Sequence, residues 1–236
     1  MHRIFWIILM IVFSCKNKNN EVFVEKIAKD KLKDENRYNL DNEIYKVGRL
    51  FIYDFEFLRD GVIAHSEVNS IRFEVLSGLS PFIRIDSSYN QTVFKLFYIG
   101  HSNEVLFRER TGLIENERNV WLHPPRSSDM EILQMNAFPY FKFDDKIEEW
   151  KWNLEASYNE YRNINLNHEY TRGAKEYLQL EGKTYLCYIV YSKTTSTLNI
   201  STAKFYFNSK FGYMKMKFKN FDGTTHIFTL KKTNFN

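Results

Sequence analysis

The chain has 236 residues, 33 of them Lys or Arg against 29 Asp or Glu, for a formal charge of +4. That balance is too even to point to nucleic acid and allows only modest attraction to an anionic membrane surface. Two cysteines permit one internal disulfide at most, so a domain of this length must be held by its core.

The chain opens MHRIFWIILMIVFSC. A basic start (His2, Arg3) precedes an apolar run from Ile4 to Phe13. The run is shorter than the roughly 20 residues a bilayer span needs and has the length of a signal-peptide core. Ser14 is small, and Cys15 comes next. Val12-Phe13-Ser14-Cys15 resembles the bacterial lipobox. That resemblance implies that residues 1–14 are removed and that Cys15 takes a diacylglyceryl group and becomes the N-terminus. Two or three acyl chains anchor a protein firmly where one does so only marginally. The alternative is an ordinary secretory signal that happens to contain a cysteine. Loss of Arg3 lowers the charge to +3, and an acylated Cys15 leaves Cys187 without a disulfide partner.

Aromatic residues make up 17% of the chain, and Asn, Lys and Ile are abundant. These residues have A/T-rich codons, so a low-GC genome explains the profile without a binding surface. Together with the lipobox, the composition resembles that of lipoproteins of the Bacteroidetes and flavobacteria. The start Lys16-Asn17 lacks the aspartate of enterobacterial inner-membrane lipoproteins and the acidic residues of surface-exposed Bacteroidetes ones. By resemblance it implies the periplasmic face of the outer membrane.

Residues 15–42 are polar and charged and read as a tether. Val22 to Ile27 is its one apolar patch, able to dock on the folded domain. A single β-rich domain is expected over residues 43–236. Period-two alternation begins near Val47. Phe51, Tyr53, Phe55 and Phe57 share a face, and Asp60-Gly61 is a turn signal. Ile71, Phe73 and Val75 alternate with Arg72 and Glu74, and Phe82–Ile85 reads as a short strand. Thr92–Ile99 is apolar on both faces, which predicts a covered strand. Val105–Phe107 and Val120–Leu122 are shorter candidates.

Ile147–Tyr161 fits either a helix stripe or a strand face. The alternation through Trp150, Trp152 and Leu154 favours a strand. Thr184–Tyr191, Thr202–Phe207, Met214–Lys219 and Thr224–Leu230 form a closing meander, with Asp222-Gly223 as a hairpin turn. The whole predicts an all-β, mainly antiparallel fold: an open or incomplete β-barrel, or curved sheet, of about ten strands with little helix.

The most distinctive internal string is Trp121-Leu122-His123-Pro124-Pro125-Arg126. Its prolines favour an extended loop that is ordered at little entropic cost. Such a loop either presents Trp121, His123 and Arg126 as the rim of a ligand or partner site, or simply joins two strands. In the second case Trp121 lies in the core and Arg126 pairs with Asp129. Lys215, Lys217 and Lys219, with Lys204, Lys210, Lys231 and Lys232 nearby, make a basic face. It could meet acidic headgroups or an acidic partner, or blunt an edge strand.

The histidines have no metal-ligand spacing, and Cys187 reads as an inert core thiol. No Gly-x-Ser-x-Gly elbow or glycine-rich phosphate loop is present. The couplets Asp144-Asp145 and Glu148-Glu149 point to opposite faces of a strand and do not make a hydrolase pair. No catalytic residue, metal or cofactor is implied.

Tyr185-Leu186-Cys187-Tyr188, Lys204-Phe205-Tyr206-Phe207, Phe211-Gly212-Tyr213-Met214-Lys215 and the Asp-Gly turn occur in an order similar to small exported proteins of the LolA/LolB type of fold. This covers roughly residues 180–231 and implies an incomplete barrel with an apolar concave face. The expected role is non-catalytic: a membrane-anchored accessory protein that binds a lipid or another hydrophobic ligand. One alternative is an assembly lipoprotein that binds another envelope protein through a sheet edge. Another is a glycan-binding protein or hydrolase with Trp121, Trp150 and Trp152 as a stacking platform.

Overall fold

The computed structural model describes residues 42–79, 92–158 and 161–235. The signal, Cys15, most of the tether with its Val22–Ile27 patch, and the Phe82–Ile85 strand lie outside the described residues.

The strands are β1 (Leu50–Arg59), β2 (Val62–Ile63), β3 (Val68–Leu79), β4 (Thr92–Gly100), β5 (Val105–Glu115), β6 (Asn119–Leu122), β7 (Tyr140–Lys142), β8 (Glu149–Tyr158), β9 (Tyr161–Arg172), β10 (Glu176–Leu180), β11 (Lys183–Thr195), β12 (Ile200–Asn208), β13 (Gly212–Lys219) and β14 (Thr224–Thr233). A 3-10 segment, Ser128–Met135, lies between β6 and β7. The expected all-β class is observed, with fourteen strands among the described residues in place of about ten.

All pairings are antiparallel within one open sheet, ordered β7-β6-β5-β4-β3-β1-β14-β13-β12-β11-β9-β8. β10 adds to the first half of β11 and β2 to the end of β1. Period two explains the ladder. In β1, Phe51, Tyr53 and Phe55 are buried while Glu56 is exposed. The ambiguous stretch is a strand: Trp150, Trp152, Leu154 and Ala156 of β8 point inward, and Lys151 and Asn153 face water. β4 is covered on both faces, as its sequence predicts. β5 runs eleven residues, well beyond the short candidate at its start.

Among the described residues, the two ends of the sheet overlap without pairing as strands. Directly paired residues share a face. In β6 and β7, Val120 and Phe141 therefore point one way, and Trp121 and Tyr140 the other. Phe141 stacks on Phe207 of β12, centroids 4.0 Å apart. Tyr140, on the opposite face, meets Trp150 of β8 at 5.9 Å and Tyr170 of β9 at 5.6 Å. β6 and β7 thus lie between the inner faces of two parts of the same sheet. The sheet is rolled like a scroll, its first edge inside its last, and it is not a closed barrel.

The 3-10 segment and the residues after it fill the rest of the concave side. Met130, Leu133, Met135, Ala137 and Phe138 are buried there. Asn136 fixes their position by donating through Nδ2 to the Asn220 side-chain oxygen (2.9 Å) and the Lys219 carbonyl (3.2 Å).

Candidate functional site

β6 delivers Trp121 and His123 into the rolled interior, and the buried Pro124 and Pro125 carry the chain back to the sheet surface. Trp121 is 7% exposed and lies edge-on to Trp152, 5.8 Å away. His123 is buried against Phe138, 4.8 Å between rings. Its Nδ1–H donates to the Pro124 carbonyl (2.9 Å), which leaves Nε2 as the acceptor for Arg126 Nη1 (3.4 Å). Burial first, and the Arg126 charge second, lower its pKa to about 3. The ring is neutral.

Arg126 closes a polar cluster on β4 and β5. Its Nε lies 3.0 Å from the Glu109 carboxylate, its Nη2 donates to the Arg110 carbonyl (3.1 Å), and its backbone N–H donates to the Tyr98 hydroxyl (3.2 Å). Glu109 also accepts from the Tyr98 hydroxyl (2.5 Å) and from Ser127 Oγ (2.9 Å). Tyr98 titrates far above its usual range through burial and the adjacent Glu109 charge. Arg126 therefore pairs with Glu109 and not with Asp129, because β5 carries Glu109 to the inner side while Asp129 turns toward Ser66.

The structure brings Trp121, His123 and Arg126 together. Trp121 and His123 are held in packing, and only Arg126 reaches the surface. Chemically the cluster is a clamp. Ser127 donates to Glu109, and the acceptor nitrogen of His123 faces a guanidinium. Trp150 and Trp152 are also buried, at 7% and 9% exposure, so the three tryptophans pack in the core and present no outward platform.

Lys215, Lys217 and Lys219 lie on the convex face of β13, Lys215 half-buried and Lys217 and Lys219 exposed. β13 is interior, between β12 and β14, so these lysines do not guard a sheet edge. Of their neighbours, Lys204 is paired with Glu176 (2.7 Å) and Lys231 with Asp54 (3.0 Å). Cys187 is buried beside Met214 Sδ (3.5 Å), and burial pushes its thiol up to about 12, out of reach of ordinary thiolate chemistry. Among the described residues, no group of three or more His, Cys, Asp or Glu is placed to hold a metal ion.

Sequence reasoning missed two carboxylates. Glu109, between Arg108 and Arg110, reads as a solvated charge. Its parity with Thr111 and Leu113, which point inward, was the available signal. Glu115 accepts the backbone N–H groups of Glu43, Ile44 and Tyr45, each at 2.8 Å, and pins the start of the described chain to the end of β5. That contact spans about seventy residues and leaves no local pattern.

No protein family matches the chain, and no curated protein does. Solved structures that are distantly similar include three bacterial proteins. One is a candidate lipoprotein from Parabacteroides distasonis, with 10% identity, 82% of this chain and 100% of that chain covered, and a TM-score of 0.49. The second is a candidate exported protein with a YmcC-like fold from Bacteroides fragilis, with 9% identity, 80% and 97% covered, and a TM-score of 0.47. The third is the hypothetical lipoprotein YmcC from Escherichia coli, with 12% identity, 82% and 90% covered, and a TM-score of 0.41. The distant likeness is to these lipoproteins and exported proteins, and not specifically to LolA or LolB as the closing third suggested.

Proposed function

We propose that this chain is a lipid-anchored protein of the bacterial cell envelope, held at the periplasmic face of the outer membrane through Cys15. There it acts as a non-catalytic accessory that binds a protein partner through the outside and the free edge of its sheet. The observation that carries this reading is the occupied concave side. Both faces of β6 and β7 are buried, and Met130, Leu133 and Phe138 fill the space beside them. Binding an acyl chain there would require those residues to leave, exposing apolar surface worth about 1.5–3 kcal/mol for each large side chain. The outer end of the scroll, by contrast, leaves one side of β8 without a partner among the described strands, a place where an extended segment can add.

The test is photo-crosslinking in cells with a probe at Asn153, exposed on β8. A discrete protein adduct is expected. No adduct, together with lipid co-purifying in stoichiometric amount, would turn the reading to the acyl-chain carrier. The anchor is tested separately: Cys15→Ser is expected to move the processed protein from the membrane fraction to the soluble one.

A further inference from the structure

We propose that Arg72, Lys95 and Arg108, gathered around Phe97 on the convex face, form a binding site for a phosphate- or sulfate-class oxyanion. The register puts them there. Arg72 of β3 and Arg108 of β5 are the direct partners of Phe97 on its two neighbouring strands. Lys95 lies two residues before Phe97 on β4 and so shares its face. The guanidinium carbons of Arg72 and Arg108 stand 4.1 and 5.9 Å from the ring centroid, and the Lys95 ammonium 4.7 Å. The three charges therefore lie within roughly one Debye length of each other, about 10 Å at 0.1 M salt.

Among the described residues, no carboxylate is within ion-pair distance of any of the three. Glu74 stands across from Lys95 but makes no ion pair with it. Lys232 extends the same cross-strand row through Ile52 to Arg72, adding a further positive charge. Like charges gathered on one sheet face repel, so the arrangement is unfavourable unless something is gained from it. Covering Phe97, which is 6% exposed, does not require three cations.

Among the described residues, Arg72 Nε is buried without a hydrogen-bond partner. A buried donor left in that state is unfavourable. An oxyanion offers several acceptor oxygens to two guanidinium forks and an ammonium, a match that a single carboxylate does not provide. The Lys215, Lys217 and Lys219 row differs. Its members are spread along one strand and converge on no common point.

The site does not rest on acylation of Cys15 or on the accessory role proposed above. The test uses the full chain carrying Cys15→Ser, so that no acyl anchor confounds the measurement. Inorganic phosphate is titrated against a chloride control at equal ionic strength, and phosphatidic acid vesicles are compared with phosphatidylcholine vesicles. Arg72→Gln/Arg108→Gln is expected to weaken phosphate binding about tenfold or more, the scale of losing charge-assisted hydrogen bonds. Lys217→Gln/Lys219→Gln is expected to leave it within about twofold, since neither lysine touches the site. Arg108→Gln alone, at an exposed position, gives the same direction if the double variant does not fold. Phosphate binding with preference for phosphatidic acid vesicles identifies a lipid headgroup, and phosphate binding without that preference identifies a free anion. Either supports the site. No phosphate signal above chloride, or equal affinity in the arginine variants, overturns it.

Discussion

The indole of Trp121 stands edge-on to that of Trp152, with 5.8 Å between ring centroids and planes 88° apart. The two residues belong to β6 and β8, near opposite ends of the hydrogen-bonded order. Backbone pairing cannot join those ends, so side chains do. Phe138 packs against both indoles, at 5.5 and 5.3 Å, and Tyr170 donates its hydroxyl to the Phe138 carbonyl (3.0 Å). An open sheet thereby acquires a latched interior from aromatic contacts.

Trp152→Ala removes the outer half of that latch and leaves a cavity beside Phe138 and His168. The expected loss is about 3–5 kcal/mol, the range for truncating a large buried aromatic. Trp152→Phe keeps part of the ring and loses less. Urea unfolding with matched slopes measures both. A loss under about 1 kcal/mol for the alanine variant would mean that the overlap contributes little to stability.

Glu115 ties the segment before β1 to the sheet. Its Oε1 accepts from the backbone of Glu43 and Ile44 and its Oε2 from Tyr45. Glu115→Ala leaves buried donors without acceptors, at about 1–3 kcal/mol for each group that water cannot reach. Amide hydrogen exchange at residues 43–45 is expected to accelerate far more than at β13 or β14. Uniform acceleration across the sheet would show that the carboxylate supports the whole fold and not this segment alone.

Much of the fold was legible because period two is a local signal. β1, β4, the strand at 149–158 and the closing meander follow from alternating apolar residues and from turns such as Asp60-Gly61, where both residues adopt positive φ. The scroll was not legible. Trp121 and Val120 alternate like any strand pair, and nothing in β6 says that both of its faces are covered. That fact depends on β8 and β12 arriving from elsewhere in the chain. Likewise Arg126 is three residues from Asp129 in sequence, yet its partner is Glu109. Local proximity lost to the register of β4 and β5. The cations around Phe97 are read only once strand neighbours are known.

Gly212 carries a close approach that no other residue fits. It has φ +69°, and a Cβ there would collide with the Tyr45 hydroxyl. That hydroxyl accepts the Tyr213 N–H (3.0 Å), while Tyr213 donates its own hydroxyl to the Val120 carbonyl (2.9 Å). Gly212→Ala combines left-handed backbone strain with displacement of Tyr45, and a loss of about 2–4 kcal/mol is expected. Pairing it with Tyr45→Ala, which clears both the hydroxyl and the ring carbons that the new Cβ would meet, should cost less than the two single effects added together. If the double variant is no more stable than the sum of the single effects predicts, the collision is not the cause.

Three buried histidines make the fold sensitive to mild acid. Burial lowers the pKa of His123 and His168 to about 3 and that of His226 to about 4, from an ordinary 6.5. His226 explains why in geometric detail: its Nδ1 accepts from Asn220 Nδ2 (2.9 Å) while its Nε2–H donates to the Asp129 carbonyl (3.0 Å), so a second proton has no acceptor in this arrangement. Above pH 6.5 each ring is neutral whether folded or unfolded, and stability is at its full value. As the pH falls below 6.5 the unfolded chain takes up protons that the folded chain refuses. Stability therefore declines until the folded-state values are reached. Each histidine contributes a loss on the order of 1 kcal/mol between pH 7.5 and 5.5, so the three together lose several kcal/mol. Urea midpoints measured at the two pH values check this. His168→Phe, which keeps the stacking on Trp152 (5.2 Å) and removes the titrating ring, should reduce the difference by about one third. Equal midpoints at pH 7.5 and 5.5 would mean that the rings take up protons in the folded state as readily as in the unfolded one.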